Sequence, residues 1–248
     1  MDEFGELAPF FARAAADLLS GAPGFHQEAT AHSALILSGE PSPALNMLII
    51  LSAAEAGQRL AAGAEATRRR GLPLLTLLAP GAAPAETDAG RLGFGRIGTM
   101  PLMVLCPETP VAADDRCTIM RATDAAMLEQ VAALRAGGRY PLEAMRRVVE
   151  PPAGRGIEIF LGLAEGVPVS TVAAVEVGGT VGIWWMATDA ARQRQGFGRS
   201  LLVQVVGDYR ARGAERFYLG ASEAGRPLYE RLGFEKVGDW GMWMLGAG

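Results

Sequence analysis

The sequence is short of lysine, histidine and cysteine. Lys236 is the single lysine, and acidic residues outnumber basic ones to give a net charge of −4. The chain therefore has no overall basic field to attract nucleic acid. Its two cysteines, Cys106 and Cys117, are too few for a disulfide framework and are typical of reduced thiols. The two histidines, His26 and His32, have no nearby cysteine pair, so we predict no metal site.

Long apolar runs are also missing. No stretch approaches the ~20 apolar residues that a membrane span needs. The first residues, MDEFGELAPFFARAAADLL, begin acidic, lack the basic start of a signal peptide and predict an amphipathic helix. Half of the chain is hydrophobic, which is enough for a substantial core. We expect a cytoplasmic, bacterial protein that is a monomer or homodimer and binds neither nucleic acid nor membrane.

The C-terminal half shows alternating strand and helix patterns. Three β-rich runs within 157–188, broken at Glu165-Gly166 and Gly178-Gly179, predict an antiparallel meander. The remaining elements are predicted as a strand at 117–123, helices at 124–137 and 140–150 (the second stopped by Pro151 and Pro152), a helix at 198–213, a strand at 216–221, a helix at 226–233 and two short strands around 234–237 and 240–245.

This order predicts a mixed α/β fold with a mostly antiparallel sheet. The helix at 198–213 would cross between strands 183–188 and 216–221, and such a crossover usually joins parallel neighbours.

The N-terminal half repeats part of this pattern. RLGFGRIGTMPLMVL at 91–105 aligns with RLGFEKVGDWGMWML at 231–245 at a constant offset of 140. The likeness predicts a duplicated unit. We place the boundary in the polar, proline-bearing stretch 106–116, which gives domains at 1–112 and 113–248. The N-terminal copy is shorter between its crossover strand and Gly71, and the missing piece corresponds to the DAARQRQGFG region.

That region contains glycine and arginine just where a helix begins. In ARQRQGFGRSLL, residues 191–202, Gly196 and Gly198 allow backbone amides to approach a ligand closely. The first amides of a helix are unpaired and partly positive, which predicts an anion site suited to phosphate. Further positive charge comes from Arg192, Arg194 and Arg199.

Three phosphate motifs compete for this segment. A Walker A loop needs a Gly-Lys pair, and this segment contains no lysine. A Rossmann fingerprint needs a third glycine close after a strand, and this segment has only two glycines. Gln193, Gly196 and Gly198 fit Gln-x-x-Gly-x-Gly, which resembles the pyrophosphate loop of the GNAT family of acetyl-CoA-dependent N-acyltransferases. SEAGRPLYERLGF at 222–234 resembles the family's second signature, and the element order over 117–248 is also similar. The N-terminal half resembles a degenerate GNAT unit without this loop.

The resemblance implies a GNAT fold with a splayed parallel strand pair that holds acetyl-CoA as co-substrate, without a metal. An amine would attack the thioester directly, and Tyr229 would act as general acid for the departing thiolate. Ser222 stands where many relatives have an asparagine. The implied cofactor-binding residues are Met186, Ala187 and Thr188 for the pantetheine arm, Gln193, Arg194, Gln195, Gly196, Phe197, Gly198, Arg199 and Ser200 for the pyrophosphate, and Ser222.

Several points stay open. The general base is Glu158, Glu176, Asp189 or a water relay. Trp184 and Trp185 are neighbours on one strand and should face opposite sides, so that one of them can line the acceptor site. The acceptor is an antibiotic, a polyamine, an amino acid or a protein N-terminus. An acyl-CoA-binding regulatory module without turnover is the alternative function.

Overall fold

The structure is a computed structural model that describes residues 2–137, 140–150 and 155–247. The predicted helix stop at Pro151 and Pro152 lies outside these residues. In chain order the helices and strands are α1 (Glu3–Leu19), β1 (His26–Ala29), β2 (Ser33–Leu37), β3 (Asn46–Ile50), α2 (Ala56–Arg68), β4 (Leu74–Leu78), α3 (Glu86–Arg91), β5 (Gly95–Leu105), β6 (Thr118–Arg121), α4 (Ala125–Ala136), α5 (Leu142–Val148), β7 (Ile157–Ala164), β8 (Val167–Val177), β9 (Thr180–Thr188), α6 (Phe197–Ala211), β10 (Arg216–Gly220), α7 (Arg226–Arg231) and β11 (Glu235–Leu245).

The chain forms two compact units. Unit 1 contains residues 1–102 together with 236–248, and unit 2 contains residues 103–235. The boundary that the sequence predicted between residues 112 and 113 refers to the two sequence repeats and not to these compact units. It stays a prediction.

Unit 1 has the strand order β1-β2-β3-β4-β11. Its pairs are antiparallel except β3 and β4, which are parallel and joined through α2. The predicted N-terminal helix is α1, whose cap is the side chain of Asp2, which accepts a hydrogen bond from the Gly5 amide at 2.9 Å. The apolar face of α1 buries Phe4, Leu7 and Phe11.

Unit 2 has the order β5-β10-β9-β8-β7-β6, with only the end of β5 belonging to it. The strands β6 to β9 pair antiparallel in sequence order, which confirms the predicted meander. Its hairpin turns lie at the predicted dipeptides, Glu165-Gly166 and Gly178-Gly179, where both residues have positive φ as a type I′ turn requires. The strand β10 pairs parallel with β9 through the crossover helix α6.

The core of unit 2 lies against α6. The predicted helix face is buried, with Leu201, Leu202, Val205 and Tyr209 each at most 1% exposed. This burial fixes the rotation of α6 about its axis, so the first turn of the helix is held in place next to the end of β9.

The last strand of each unit comes from the other sequence repeat. In unit 1 the strand after β4 is β11, and in unit 2 the strand after β10 is the end of β5. Both β5 and β11 are single strands of eleven residues. The prediction of two short strands around 234–237 and 240–245 was therefore wrong, because one strand runs through Gly238 and Gly241 and pairs with β4 from Gly241 onward. The predicted mixed, mostly antiparallel and duplicated fold is confirmed.

Candidate active site

The parallel strands β9 and β10 separate after three residue pairs. Their register runs from Arg216 opposite Thr180 to Tyr218 opposite Gly182 and then stops. The strand β9 continues to Thr188, and its other edge stays paired with β8. Residues 183–188 therefore have an edge that does not pair with β10, and a ligand with amide groups can hydrogen-bond along such an edge.

A bulge interrupts β9 within this open segment. Ala173 of β8 lies opposite Trp184, and Thr171 lies opposite Ala187, so β9 has one extra residue between these two pairs. Trp185 lies in the bulge and has a φ of 48°. The alternation of side chains along a regular strand does not hold through a left-handed residue. The prediction that Trp184 and Trp185 face opposite sides by simple alternation therefore does not apply.

The loop after β9 is held by its own side chains. Asp189 accepts a hydrogen bond from the Ala191 amide at 2.9 Å and caps the short 3₁₀ turn Ala190–Arg192. The Nε2 of Gln193 donates to the Thr188 carbonyl at 3.2 Å. Arg194 has a positive φ of 60°. This loop redirects the chain from the end of β9 to the start of α6.

Two glycines bring the first turn of α6 close to β9. Gly196 is the N-cap and has a φ of 90°, which a side chain would disfavour. A Cβ on Gly198 would lie 2.9 Å from the Thr188 Oγ1 and 3.0 Å from the Met186 Cε. The helix N-terminus therefore lies directly against the open segment of β9. The amides of residues 197–199 have no acceptor one turn earlier within the helix.

A segment before β6 ties this first turn in place, and the sequence did not indicate it. Asp114 forms an ion pair with Arg199, and its carbonyl accepts from the Ser200 Oγ at 2.9 Å and from the Gln204 Nε2 at 3.1 Å. Arg116 donates to the Gln195 carbonyl at 3.1 Å. Residues 106–116 had been interpreted only as a polar linker, because contacts with residues about 85 positions later leave no local pattern.

Two side chains that were predicted to bind the pyrophosphate, those of Arg199 and Ser200, bind the segment around Asp114. Arg199 is paired with Asp114, so its charge is already neutralised. Ser200 is fully buried, and its amide donates to the Gly196 carbonyl at 2.9 Å. Burial raises the pKa of Asp114. Hydrogen bonds from the Arg116 amide and from Arg199 together lower the pKa by more than burial raises it, so it lies below the ordinary value. Asp114 is therefore a carboxylate at neutral pH.

Tyr229 of α7 reaches the open segment of β9. Its hydroxyl lies 3.7 Å from the Met186 Sδ, and its ring packs edge-on against Phe234 with centroids 5.9 Å apart. The residue is 9% exposed. The Oγ of Ser222 accepts from the Gly225 amide at 3.2 Å at the start of α7. The ring is thus a core residue, while the hydroxyl lies beside one of the predicted pantetheine-binding residues.

The candidate bases have other partners or no defined one. Glu158 pairs with Arg121 at 2.9 Å and with Arg212 at 2.7 Å. Asp189 is the cap of the 3₁₀ turn. Glu176 is half-buried at the end of β8. The geometry of these three carboxylates does not select one of them as a catalytic base.

Within residues 2–137, 140–150 and 155–247, no group of three or more His, Cys, Asp or Glu side chains is arranged to hold a metal ion. Over the same residues, no helix combines the length and apolarity needed to cross a membrane.

Residues 155–236 match the family model of the acetyltransferase (GNAT) domain. The match contains β9, the loop, α6, β10 and α7, which are the elements of the candidate site. This part of the chain is therefore similar to GNAT acetyltransferase domains, which agrees with the resemblance noted from its two sequence signatures.

Solved structures share the fold over nearly the whole chain. A GCN5-related N-acetyltransferase from Kribbella flavida is 21% identical, with a TM-score of 0.69 and 96% of each chain covered. A GCN5-related N-acetyltransferase from Sphaerobacter thermophilus is 14% identical, with a TM-score of 0.62, 99% of this chain and 94% of that chain covered. A tandem GNAT protein from the clavulanic acid biosynthesis pathway is 14% identical, with a TM-score of 0.61, 98% of this chain and 95% of that chain covered. No curated protein matches the sequence.

Proposed function

We propose that this chain transfers the acetyl group of acetyl-CoA to a primary amine by direct attack of the amine on the thioester. The observation that carries the proposal is the geometry of unit 2, where an open strand edge ends at a helix N-terminus that glycine keeps bare. The pantetheine arm would hydrogen-bond along Met186, Ala187 and Thr188 like an added strand. The pyrophosphate would lie on the first turn of α6.

The phosphate contacts are best made by backbone rather than by every side chain of the loop. The amides of residues 197–199 point out of the first turn, and Gly198 leaves room for close approach. The exposed side chains of Arg192 and Arg194 are available to add charge, and the exposed Gln193 and Gln195 flank them. Arg199 and Ser200 would act through their place in the helix, because their side chains bind the segment around Asp114.

Tyr229 is proposed as the general acid. As the amine nitrogen bonds to the acetyl carbon, the carbon–sulfur bond breaks and the thiolate leaves with the electron pair. The phenol of Tyr229 would give its proton to that sulfur, and a phenol with an ordinary pKa of ~10 suits a thiolate leaving group. The proton lost by the amine returns to the phenolate through solvent, so protons balance. The 3.7 Å approach of its hydroxyl to Met186 supports this role.

The incoming amine must be neutral before it attacks. Glu158 is occupied by two arginines and Asp189 by the turn that it caps. We therefore propose that water carries the proton away from the amine, and that neither Glu158 nor Asp189 acts as a dedicated base.

The direct test is a panel of amines incubated with the full chain and acetyl-CoA, with free thiol release as the readout. Turnover that requires an amine, and an N-acetylated product seen by mass spectrometry, would support the proposal. Binding of acetyl-CoA without thiol release for any amine would overturn it and would favour a regulatory module. Ser222→Asn is a companion variant. It introduces the asparagine that many relatives have at this position in place of the serine whose Oγ accepts from the Gly225 amide.

A further inference from the structure

One arginine of unit 2 is buried without a hydrogen-bond partner. Arg135 lies near the end of α4 and is 3% exposed. Its three guanidinium nitrogens make no hydrogen bond to any of the residues that the structure describes. A guanidinium has five N–H donors, and buried donors in folded proteins are almost always paired.

The guanidinium stacks on an aromatic ring. Its central carbon lies 4.8 Å from the centroid of the Trp185 ring, which is within cation–π distance. A stacked guanidinium keeps its N–H groups directed outward in the plane of the fork. The contact therefore orients Arg135 and leaves its donors unused.

A second stacked arginine shows what a purely structural arrangement looks like. Arg210 lies 5.8 Å from the Phe217 ring, but it also donates to the Thr109 carbonyl at 2.8 Å and to the Cys106 carbonyl at 3.0 Å. Arg210 thus fastens a loop to the core. Arg135 makes no comparable bond within the described part of the chain.

The unpaired charge is energetically costly as it stands. Burial lowers the pKa of Arg135 to about 9, an effect that the nearby phenol of Tyr140 partly offsets. The side chain is still a cation at neutral pH. A buried cation without a counter-charge loses its hydration and gains little in return, so an anion that arrives in this place is strongly favoured.

The position of this charge relates it to the candidate site. Trp185 lies in the bulge of β9, directly before Met186, whose sulfur is the neighbour of the Tyr229 hydroxyl. Residues 184–188 are all half-buried, so the stacked pair lies at the margin of the core and not at its centre. The ring on which Arg135 stacks therefore belongs to the residue directly before Met186, beside which the thioester is proposed to react.

We infer that Arg135 binds an anionic group, a carboxylate or a phosphate, on the amine that accepts the acetyl group. The inference rests on the proposed acetyl transfer and specifies its acceptor as an amine that also carries a negative charge. The forked donors of Arg135 would bind two oxygens of the anion, while Trp185 holds the fork from one face. Because the guanidinium is covered in the free chain, binding would displace some of the side chains around it.

The test compares acceptors that differ only in charge. The full chain is assayed with acetyl-CoA and three pairs: β-alanine and β-alaninamide, phenylalanine and phenylalaninamide, phosphoethanolamine and ethanolamine. The third pair distinguishes phosphate from carboxylate. For each pair the ratio of kcat/KM, anionic over neutral, is measured in the wild type and in Arg135→Met. Dividing the two ratios cancels the different basicities of the amines. Arg146→Met, at an exposed arginine paired with Glu129, is the control.

We expect the ratio for at least one pair to fall about tenfold or more in Arg135→Met, through the anionic member, because a charge-assisted bidentate bond is lost. Arg135→Lys should give an intermediate ratio, since it keeps the charge without the fork. An unchanged ratio in every pair, with turnover intact, would overturn the inference and leave the proposed acetyl transfer standing.

If no amine is turned over, the proposed acetyl transfer fails, and a binding measurement then tests whether Arg135 is an anion site. Benzoate and inorganic phosphate are titrated while the melting temperature is followed. At least one should raise the melting temperature of the wild type and not that of Arg135→Met. Without ligand, Arg135→Met should melt at the wild-type temperature or above it, because an unpaired buried charge is replaced by an apolar chain of similar length. If neither anion shifts the wild type, or if Arg135→Met shifts equally, Arg135 is not an anion site.

Discussion

Each unit joins two parallel strands through one helix, yet the starts of the two helices differ in the charge of their neighbours. Both α2 and α6 follow a residue with positive φ, Glu55 at 58° and Gly196 at 90°. In both helices a glycine stands at the second position, Gly57 or Gly198. The two helix starts therefore share a positive φ and a glycine, although the loop before α6 has no counterpart of equal length in unit 1.

In unit 1 carboxylates stand beside the helix start. A Cβ on Gly57 would lie 2.8 Å from the Asp88 Oδ2, and the N-cap is itself a glutamate. In unit 2 the corresponding neighbours of Gly198 are Thr188 and Met186, which are uncharged. A helix N-terminus favours a negative charge, and in unit 1 the chain supplies that charge itself. The comparison indicates that the neighbours of this helix start, together with the shorter loop, remove the anion site from unit 1.

The two units also differ at the proposed acid. The helices α3 and α7 have six residues each and lie 140 positions apart. The residue in unit 1 that matches Tyr229 is Ala89, which is fully buried. Unit 1 therefore offers neither an open phosphate position nor a hydroxyl, and we predict that only unit 2 binds acetyl-CoA.

The largest expected effect comes from placing a carboxylate at the start of α6. Gly198→Glu should remove measurable acetyl-CoA binding, because its side chain fills the approach and repels the phosphates. Its closest contacts are ends of side chains that can move, so the chain should still fold. Titration calorimetry on the wild type should give one site per chain. The matched variant Gly57→Glu in unit 1 should bind normally, and two equivalent sites in the wild type would contradict the comparison.

Tyr229→Phe should lower turnover by about 10²–10⁴-fold, since the substitution removes the proton donor while keeping the ring. The dissociation constant for acetyl-CoA should change less than about threefold, because the proton is needed in the transition state and not in the ground state. The variant Tyr209→Phe, at another buried tyrosine of the same core, is the control. Near-normal turnover of Tyr229→Phe at saturating amine would mean that solvent supplies the proton.

Trp240→Ala tests the strand that unit 1 takes from the second sequence repeat. Trp240 is fully buried and packs on Phe4 and Phe11 of α1, with ring centroids 4.8 and 5.3 Å away. Its removal should cost about 3–5 kcal/mol of unfolding free energy. Urea unfolding and amide exchange of α1 measure this, and Met244→Ala on the same strand, 39% exposed, should cost little. If α1 stays fully protected in Trp240→Ala, the strand is not what holds it.

The smallest effect is expected for Asp114→Asn, which loosens the tie between residues 114–117 and α6. Because the variant weakens hydrogen bonds to a charged group, its free energy of unfolding should be about 1–3 kcal/mol lower than that of the wild type at neutral pH. Asp115→Asn changes the same chemistry at an exposed neighbour and serves as the control.

The pH dependence of this pair of variants follows from the lowered pKa of Asp114. A carboxyl whose folded pKa is depressed stabilises the fold fully above its unfolded pKa of ~3.9, and the contribution disappears as the pH falls through the folded value. The difference in melting temperature between the wild type and Asp114→Asn should therefore be constant at neutral pH and shrink in acid. A difference that grows in acid would contradict the assignment.

The sequence predicted features whose causes are local. The turns at Glu165-Gly166 and Gly178-Gly179, the apolar face of α6 and the spacing of Gly196 and Gly198 depend on residues that lie close together in the chain, and all occupy their predicted elements. The parallel crossover followed from helix length and the handedness rule.

The features that the sequence did not indicate depend on distant partners. The tie of Asp114 to Arg199 spans 85 positions. The bulge at Trp185 depends on how β8 pairs with β9. The strand β11 runs through Gly238 and Gly241, and its part from Gly241 onward pairs with β4, more than 150 residues earlier. Strand propensity alone favours a break at such glycines.

Each unit takes its last strand from the other sequence repeat, and this affects the order in which the units can fold during synthesis. Unit 1 needs residues 236–248, which are synthesised after all the residues of unit 2. Domains usually fold in the order of synthesis, from the N-terminus. Here the edge of β4 that pairs with β11 stays unpaired until β11 has been synthesised. Premature termination near residue 235 would thus release a product in which the unit made first is the one left incomplete.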